Sequence, residues 1–263
     1  MRQGQLYAKP PTSPRDRVAR SAHPEPGSCG PALRSRAVIP EGLTRERGKT
    51  LRAPVVLEIL RTQLPDATIA LDFSDRWQLL VATMLSAQST DVKVNEVTRV
   101  LFRELPDPHA VASAPLERIE ELIGSLGLFR QKAKNIQATA WMVLEHHGGE
   151  VPATMAELTA LPGVARKTAN VVLSNGFGIN EGVVVDTHVT RLARRLRFSR
   201  APDPRRIELD LMRLFPREQW LEVADLLIHH GRRTCLARRP RCEDCAIEPL
   251  CPSSQEAGLT DKR

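Results

Sequence analysis

From residue 50 onward, apolar residues recur at intervals of three and four, the spacing of one helix face. Trp77, Leu80, Val81, Met84 and Leu85 form one stripe, and Val94, Val97, Val100 and Leu101 the next. Leu116, Ile119, Leu122 and Ile123 follow, closed by Gly124 and Gly127. Ala133, Ile136, Ala140, Val143 and Leu144 mark a longer helix, stopped by Gly148-Gly149 as a C-terminal cap. Thr154 and Glu157 have the spacing of a capping box at the next start. Val189, Leu192, Ala193 and Leu196 predict another helix, and Trp220, Ala224, Leu227 and Ile228 the last long one, ended by Gly231. Breaks fall at Asn180-Glu181-Gly182 and Ala201-Pro202-Asp203-Pro204. No segment alternates as a strand does, and no unit repeats. The pattern predicts an all-α fold.

Composition changes the picture at the amino end. Residues 1–49 hold seven prolines and few large apolar side chains, too little to order a segment by burial. Ten Lys or Arg against four acids give this stretch +6 of the net charge of +7. It reads as a flexible basic tail that adds nonspecific DNA affinity, with an organellar transit peptide as the alternative. The folded part carries +1, so any anionic partner there must be met by local clusters. Arg191, Arg194, Arg195, Arg197, Arg200, Arg205 and Arg206 crowd one stretch, and Arg232, Arg233, Arg238, Arg239 and Arg241 another. Such clusters point to a polyanion, against the plainer reading of a solvated surface. No apolar run approaches the ~18 residues of a membrane span.

Four of the five cysteines, Cys235, Cys242, Cys245 and Cys251, fall in one short loop with spacing C-x6-C-x2-C-x5-C. Soft thiolates gathered in this way hold zinc or an iron–sulfur cluster. Zinc sites usually repeat a short pair twice; only Cys242 and Cys245 form such a pair, so the spacing leans towards a 4Fe–4S cluster, with zinc as the rival and disulfides a distant third. Cys29, alone in the tail, reads as a free thiol.

The remaining chemistry lies in Leu161-Pro162-Gly163-Val164-Ala165-Arg166-Lys167. Pro162 and Gly163 predict a tight turn between two helices, the second starting near Val164, whose unpaired N–H groups suit a DNA phosphate. Lys167 falls in the first helical turn, where the positive end of the dipole disfavours an ammonium. An amine must be neutral to attack carbon, so Lys167 is a candidate nucleophile as well as an ordinary surface lysine. Val183-Val184-Val185-Asp186 is an apolar run ending in an acid before a helix. Asp186 is either an N-terminal cap or a proton acceptor for the lysine, or both. His188, His229 and His230 read as structural.

Together with Leu85-Ser86-Ala87-Gln88-Ser89-Thr90-Asp91, these motifs resemble the endonuclease III family, helix–hairpin–helix DNA glycosylases with an iron–sulfur cluster; the likeness runs from about residue 50 to 252. It implies two helical domains: a six-helix barrel at 69–181, and a cluster domain built from 50–68 and 182–252, with a flexible end at 253–263. It further implies a bifunctional glycosylase and abasic-site lyase acting in base excision repair on oxidised pyrimidines such as thymine glycol. Lys167 would form the Schiff base, assisted by Asp186. Gln88 would fill the space left by the flipped base and Leu128 would wedge the opposite strand. Gly163, Ala165, Arg166, Arg238, Arg239 and Arg241 would meet the DNA backbone, and the four cysteines would hold the 4Fe–4S cluster. The implied partner is double-stranded DNA with damaged bases or abasic sites, bound by a monomer without a membrane. A bacterial source would place the protein in the cytoplasm, on the nucleoid. The family hairpin usually reads Gly-Val-Gly, whereas this chain has Ala165 at the second glycine. Two rivals are a monofunctional glycosylase with another target base, against which Lys167 argues, and a non-catalytic iron–sulfur DNA-binding protein, against which Lys167 and Asp186 both argue.

Overall fold

A computed structural model describes residues 39–254, and within them every regular element is helical. Of the tail predicted over 1–49, residues 1–38 lie outside the described residues, as do residues 255–263 of the end predicted over 253–263. Eleven α-helices follow in order: α1 (Lys49–Gln63), α2 (Arg76–Leu85), α3 (Asp91–Glu104), α4 (Pro108–Ser113), α5 (Leu116–Ile123), α6 (Phe129–His147), α7 (Met155–Ala160), α8 (Arg166–Val172), α9 (Thr187–Arg195), α10 (Pro204–Leu214) and α11 (Trp220–Arg233).

Their starts are written in short polar side chains. Asp75, Thr90, Asp107, Thr154, Asp186 and Asp203 each accept a hydrogen bond from a backbone N–H in the first turn of the helix that follows. Each such cap contributes about 1 kcal/mol. Pro108 and Pro204 add a preset φ at the first helical position, where no backbone donor is lost. The break at Ala201–Pro204 is thus also the start signal of α10.

Two clusters of buried side chains form. The first takes Trp77, Leu80, Leu85, Leu101, Ile119, Ile136 and Leu158 with their neighbours from α2 to α8. The second takes Val56, Leu60, Leu192, Phe198, Leu211, Leu227 and Leu250 with their neighbours, so α1 shares a core with α9–α11 across a long sequence gap. Arg52 is buried in that second cluster and donates to Arg47 O (2.8 Å), Leu196 O (3.0 Å) and Leu250 O (3.0 Å), tying α1 to the end of the chain. Packing extends past both ends predicted for it. Ile39 and Leu43 lie against the second cluster, Arg45 pairs with Glu248 at 3.2 Å, and Ser254 is fully buried.

Two helix boundaries differ from expectation. Gly231 lies inside α11: a Cβ there would stand 3.0 Å from His188 Cβ, so this glycine serves close approach to α9. The hairpin helix starts at Arg166, two residues after Val164, because Val164 is drawn into the first core and Ala165 stays extended (φ −85°, ψ 166°). Beyond α8 the chain continues as one π-helical turn, Leu173–Phe177, ended by Gly178 at φ 69°.

Candidate functional site

A cleft of about 240 Å³ runs between the two cores, and Gln88, Lys167 and Asp186 all line it. Its first wall comes from the end of α2, the start of α3 and the α8 face; the second comes from the run before α9 and from α11. Arg232 on α11 donates to Asp91 on α3 at 2.6 Å, an ion pair spanning the two walls.

Lys167 is exposed in the first turn of α8 and makes no ion pair among the described residues. Its helix is fixed from both flanks. Arg166 donates to Glu208 Oε2 (3.1 Å) and Oε1 (3.0 Å), and Asn170 donates to Glu208 Oε1 (2.9 Å). Glu208, on α10, is buried and sits over Gly182, where any Cβ would collide with Oε1 at 1.9 Å. The Arg166 side chain is therefore bound within the protein, and what it presents outward at the hairpin is its backbone. At the turn itself, Gly163 has φ 77°, and a Cβ there would lie 2.5 Å from Asn135 Nδ2, so only glycine fits. Ala165, by contrast, holds a conformation open to any residue, and its methyl group costs no backbone strain.

Asp186 is half-buried, and its Oδ1 accepts from Val189 N at 2.8 Å. The capping duty holds the carboxylate at the mouth of α9, on the cleft wall facing Lys167's helix. Asn175, in the π-helical turn, and His229 also line the cleft; neither had a motif to mark it. His229 hydrogen-bonds Thr68 O at 2.8 Å, and burial pulls its pKa below the usual histidine range.

Gln88 (φ 55°) and Leu128 (φ 59°) both hold left-handed backbone, which a residue with a side chain adopts only when its surroundings impose it. Both are exposed, Leu128 at 60 %. Leu128 does not line the cleft; it stands at the tip preceding α6.

The four cysteines line a second, mostly apolar cavity with Leu192, His230 and Ile247. Burial, reinforced by the neighbouring sulfurs, pushes the Cys245 thiol up to about 12 and the Cys251 thiol up to about 11. Four ionised thiolates around this cavity therefore need a positive group to face them. Among the described residues, no three His, Cys, Asp or Glu side chains converge on one point as the ligands of a single ion do. The loop is braced by α9: Arg191 donates to Cys235 O (3.0 Å) and Gly231 O (2.8 Å), and Arg195 to Leu236 O (2.8 Å) and Cys235 Sγ (3.2 Å). Arg194 is bonded to Ala201 O and Pro202 O, and Arg233 to Asp66. Much of the arginine clustering thus also builds the fold, Arg233 through a carboxylate and Arg191, Arg194 and Arg195 through backbone carbonyls. Arg238, Arg239 and Arg241 differ: all three are exposed and no carboxylate pairs with them among the described residues.

Comparison with known proteins agrees with this geometry. Residues 81–217 match the HhH-GPD superfamily of base excision DNA repair proteins. The endonuclease III of Synechocystis sp. is 52 % identical over 213 residues, covering 81 % of this chain and 97 % of that protein. The endonuclease III of Escherichia coli K12 is 42 % identical over 204 residues, covering 78 % and 96 %. A solved structure of a trapped endonuclease III–DNA covalent intermediate superposes with a TM-score of 0.75 at 40 % identity, covering 80 % of this chain and 98 % of that one. By sequence and by fold, the chain belongs to the endonuclease III family of the HhH-GPD base excision repair superfamily.

Proposed function

We propose that this protein is a bifunctional DNA glycosylase and abasic-site lyase that removes oxidised pyrimidines, thymine glycol among them, from double-stranded DNA. The observation that carries the reading is one cleft lined by Lys167, which makes no ion pair among the described residues, and by Asp186. A damaged base cannot be reached inside the stack and has to be flipped into such a cleft. Neutral Lys167 Nζ attacks C1′; the glycosidic bond breaks, and its electron pair and a proton leave with the base. The amine then loses a proton as the sugar ring opens to the Schiff base. Loss of the C2′ proton expels the 3′ phosphate and nicks the strand. Asp186 Oδ1 is occupied by its cap, so its other oxygen is the one that takes a proton or faces the developing sugar cation.

Gln88 and Leu128 would enter the duplex on either side of the lesion. The exposed backbone at Gly163, Ala165 and Arg166 would meet one phosphate, and Arg238, Arg239 and Arg241 others. The four cysteines line one cavity, and their uneven C-x6-C-x2-C-x5-C spacing, with a single short pair at Cys242 and Cys245, supports a 4Fe–4S cluster over one zinc ion. Cys235, Cys242, Cys245 and Cys251 would be its ligands, and its contribution would be structural, fixing the loop that carries the arginines.

Assay of free base and nicked strand from a thymine glycol duplex tests the reading. Wild type should yield both in step, and Lys167→Ala neither, a loss of at least about 10³-fold. Base release without nicking in wild type, or activity only on adenine opposite oxidised guanine, would favour the monofunctional alternative.

A further inference from the structure

The turn that carries Gln88 and the tip that carries Leu128 are joined by one buried side chain. Lys132, in α6, is only 6 % exposed. Its ammonium donates to Leu85 O at 2.8 Å and to Ser89 Oγ at 3.0 Å. These two acceptors bracket Gln88: Leu85 ends α2, and Ser89 follows Gln88 directly. The ammonium therefore lies at the negative end of the α2 dipole, and no carboxylate pairs with it among the described residues. The backbone N–H of Lys132 donates to Leu128 O at 3.0 Å, closing the turn that Leu128 opens. The two segments also lie side by side at Gly127, where a Cβ would be in ordinary van der Waals contact with Gln88 O at 3.7 Å.

Burying a lysine without a counter-charge is costly, so its place calls for a purpose beyond packing. We infer that Lys132 is a positioning residue: it clamps the Gln88 turn onto the start of α6, so that Gln88 and Leu128 act on the duplex as one rigid two-pronged unit. The inference rests on the roles proposed above for those two residues. Prongs held in advance lose little conformational freedom on entering DNA, which leaves more of the contact energy to offset unstacking. Loosened prongs would pair poorly with the gap and the opposite strand while leaving the chemistry of Lys167 intact.

The test is single-turnover excision from a thymine glycol duplex by Lys132→Met, which keeps an apolar stem and removes the ammonium. The same variant is placed in a Gln88→Ala/Leu128→Ala background, and each protein is trapped with borohydride on a single-stranded abasic oligonucleotide. Lys132→Met alone should lose roughly 10- to 100-fold in kcat/KM on the duplex, but under about 2-fold more in the double-variant background, because coupled residues are not additive. Single-strand trapping should stay within about 2-fold of wild type, since it needs the nucleophile and not the prongs. Ser89→Ala removes one acceptor and no core volume; it should show a smaller loss in the same direction and carries the test if Lys132→Met does not fold. Wild-type excision by Lys132→Met, full additivity with the double variant, or an equal loss on single strands would overturn the inference. If Gln88→Ala/Leu128→Ala alone excises as wild type does, the roles given to Gln88 and Leu128 fail first, and the positioning role with them.

Discussion

Asp186 carries two duties that a single substitution can separate. Its Oδ1 caps α9, and the same bond holds the carboxylate on the cleft wall. Asparagine caps a helix as well as aspartate does but accepts no proton. Asp186→Asn should therefore keep its urea midpoint, within roughly 0.5 kcal/mol, while single-turnover excision falls by about 10²- to 10⁴-fold. Asp186→Ala should lose the same activity and in addition about 1 kcal/mol of stability. Excision by Asp186→Asn at the wild-type rate would remove the carboxylate from the chemistry. Ala165 shows the opposite relation between residue and site. It stands where the family hairpin usually has glycine, yet its negative φ asks nothing of glycine. Gly163, two positions earlier, is the residue the turn depends on.

At the scale of elements, α9 links the two functional regions. Asp186 caps its start in the cleft, while Arg191 and Arg195, one to two turns on, grip the loop of Cys235. Arg191→Met should loosen that loop and lower the iron retained per protein after gel filtration, read by metal analysis and by visible absorbance. Arg194→Met, whose wild-type side chain bonds Ala201 O and Pro202 O and no part of the cysteine loop among the described residues, should retain iron as wild type does. Equal iron in both variants would show that α9 does not brace the cluster. The long helices were legible because an apolar stripe is periodic whatever it packs against. The stripe at Val189, Leu192 and Ala193 and the capping pair at Thr154 are cases in point. What escaped were features decided by a distant neighbour. Gly231 looked like a stop but is a contact with α9; α4 and α10 are too weakly marked by their own stripes and are announced chiefly by Asp-Pro starts. The arginine clusters point to a polyanion by sequence, because nothing local reveals the carbonyls and the carboxylate that hold Arg191, Arg194, Arg195 and Arg233.

Across the whole molecule, the site is assembled from segments around residues 88, 167, 186 and 232, brought to one cleft by the meeting of two cores. The motifs offered candidates one residue at a time, but the absence of an ion pair on Lys167 among the described residues and the Arg232–Asp91 tie across the cleft belong to the fold alone. The arginines of the cysteine loop, exposed and without a carboxylate partner among the described residues, are the ones proposed above to meet phosphates. Arg239→Gln should weaken binding to undamaged duplex uniformly across sequences and flatten the plot of log affinity against log salt by roughly one. An unchanged slope in filter binding would place the phosphate contacts elsewhere.

The central claim is that Lys167 is the nucleophile, and covalent capture tests it most directly. Borohydride added to wild-type protein on a thymine glycol duplex should fix a protein–DNA adduct, which Lys167→Ala, folded and still bound to the duplex, should not form. An undiminished adduct in Lys167→Ala, or no adduct from wild type despite intact binding, would contradict it.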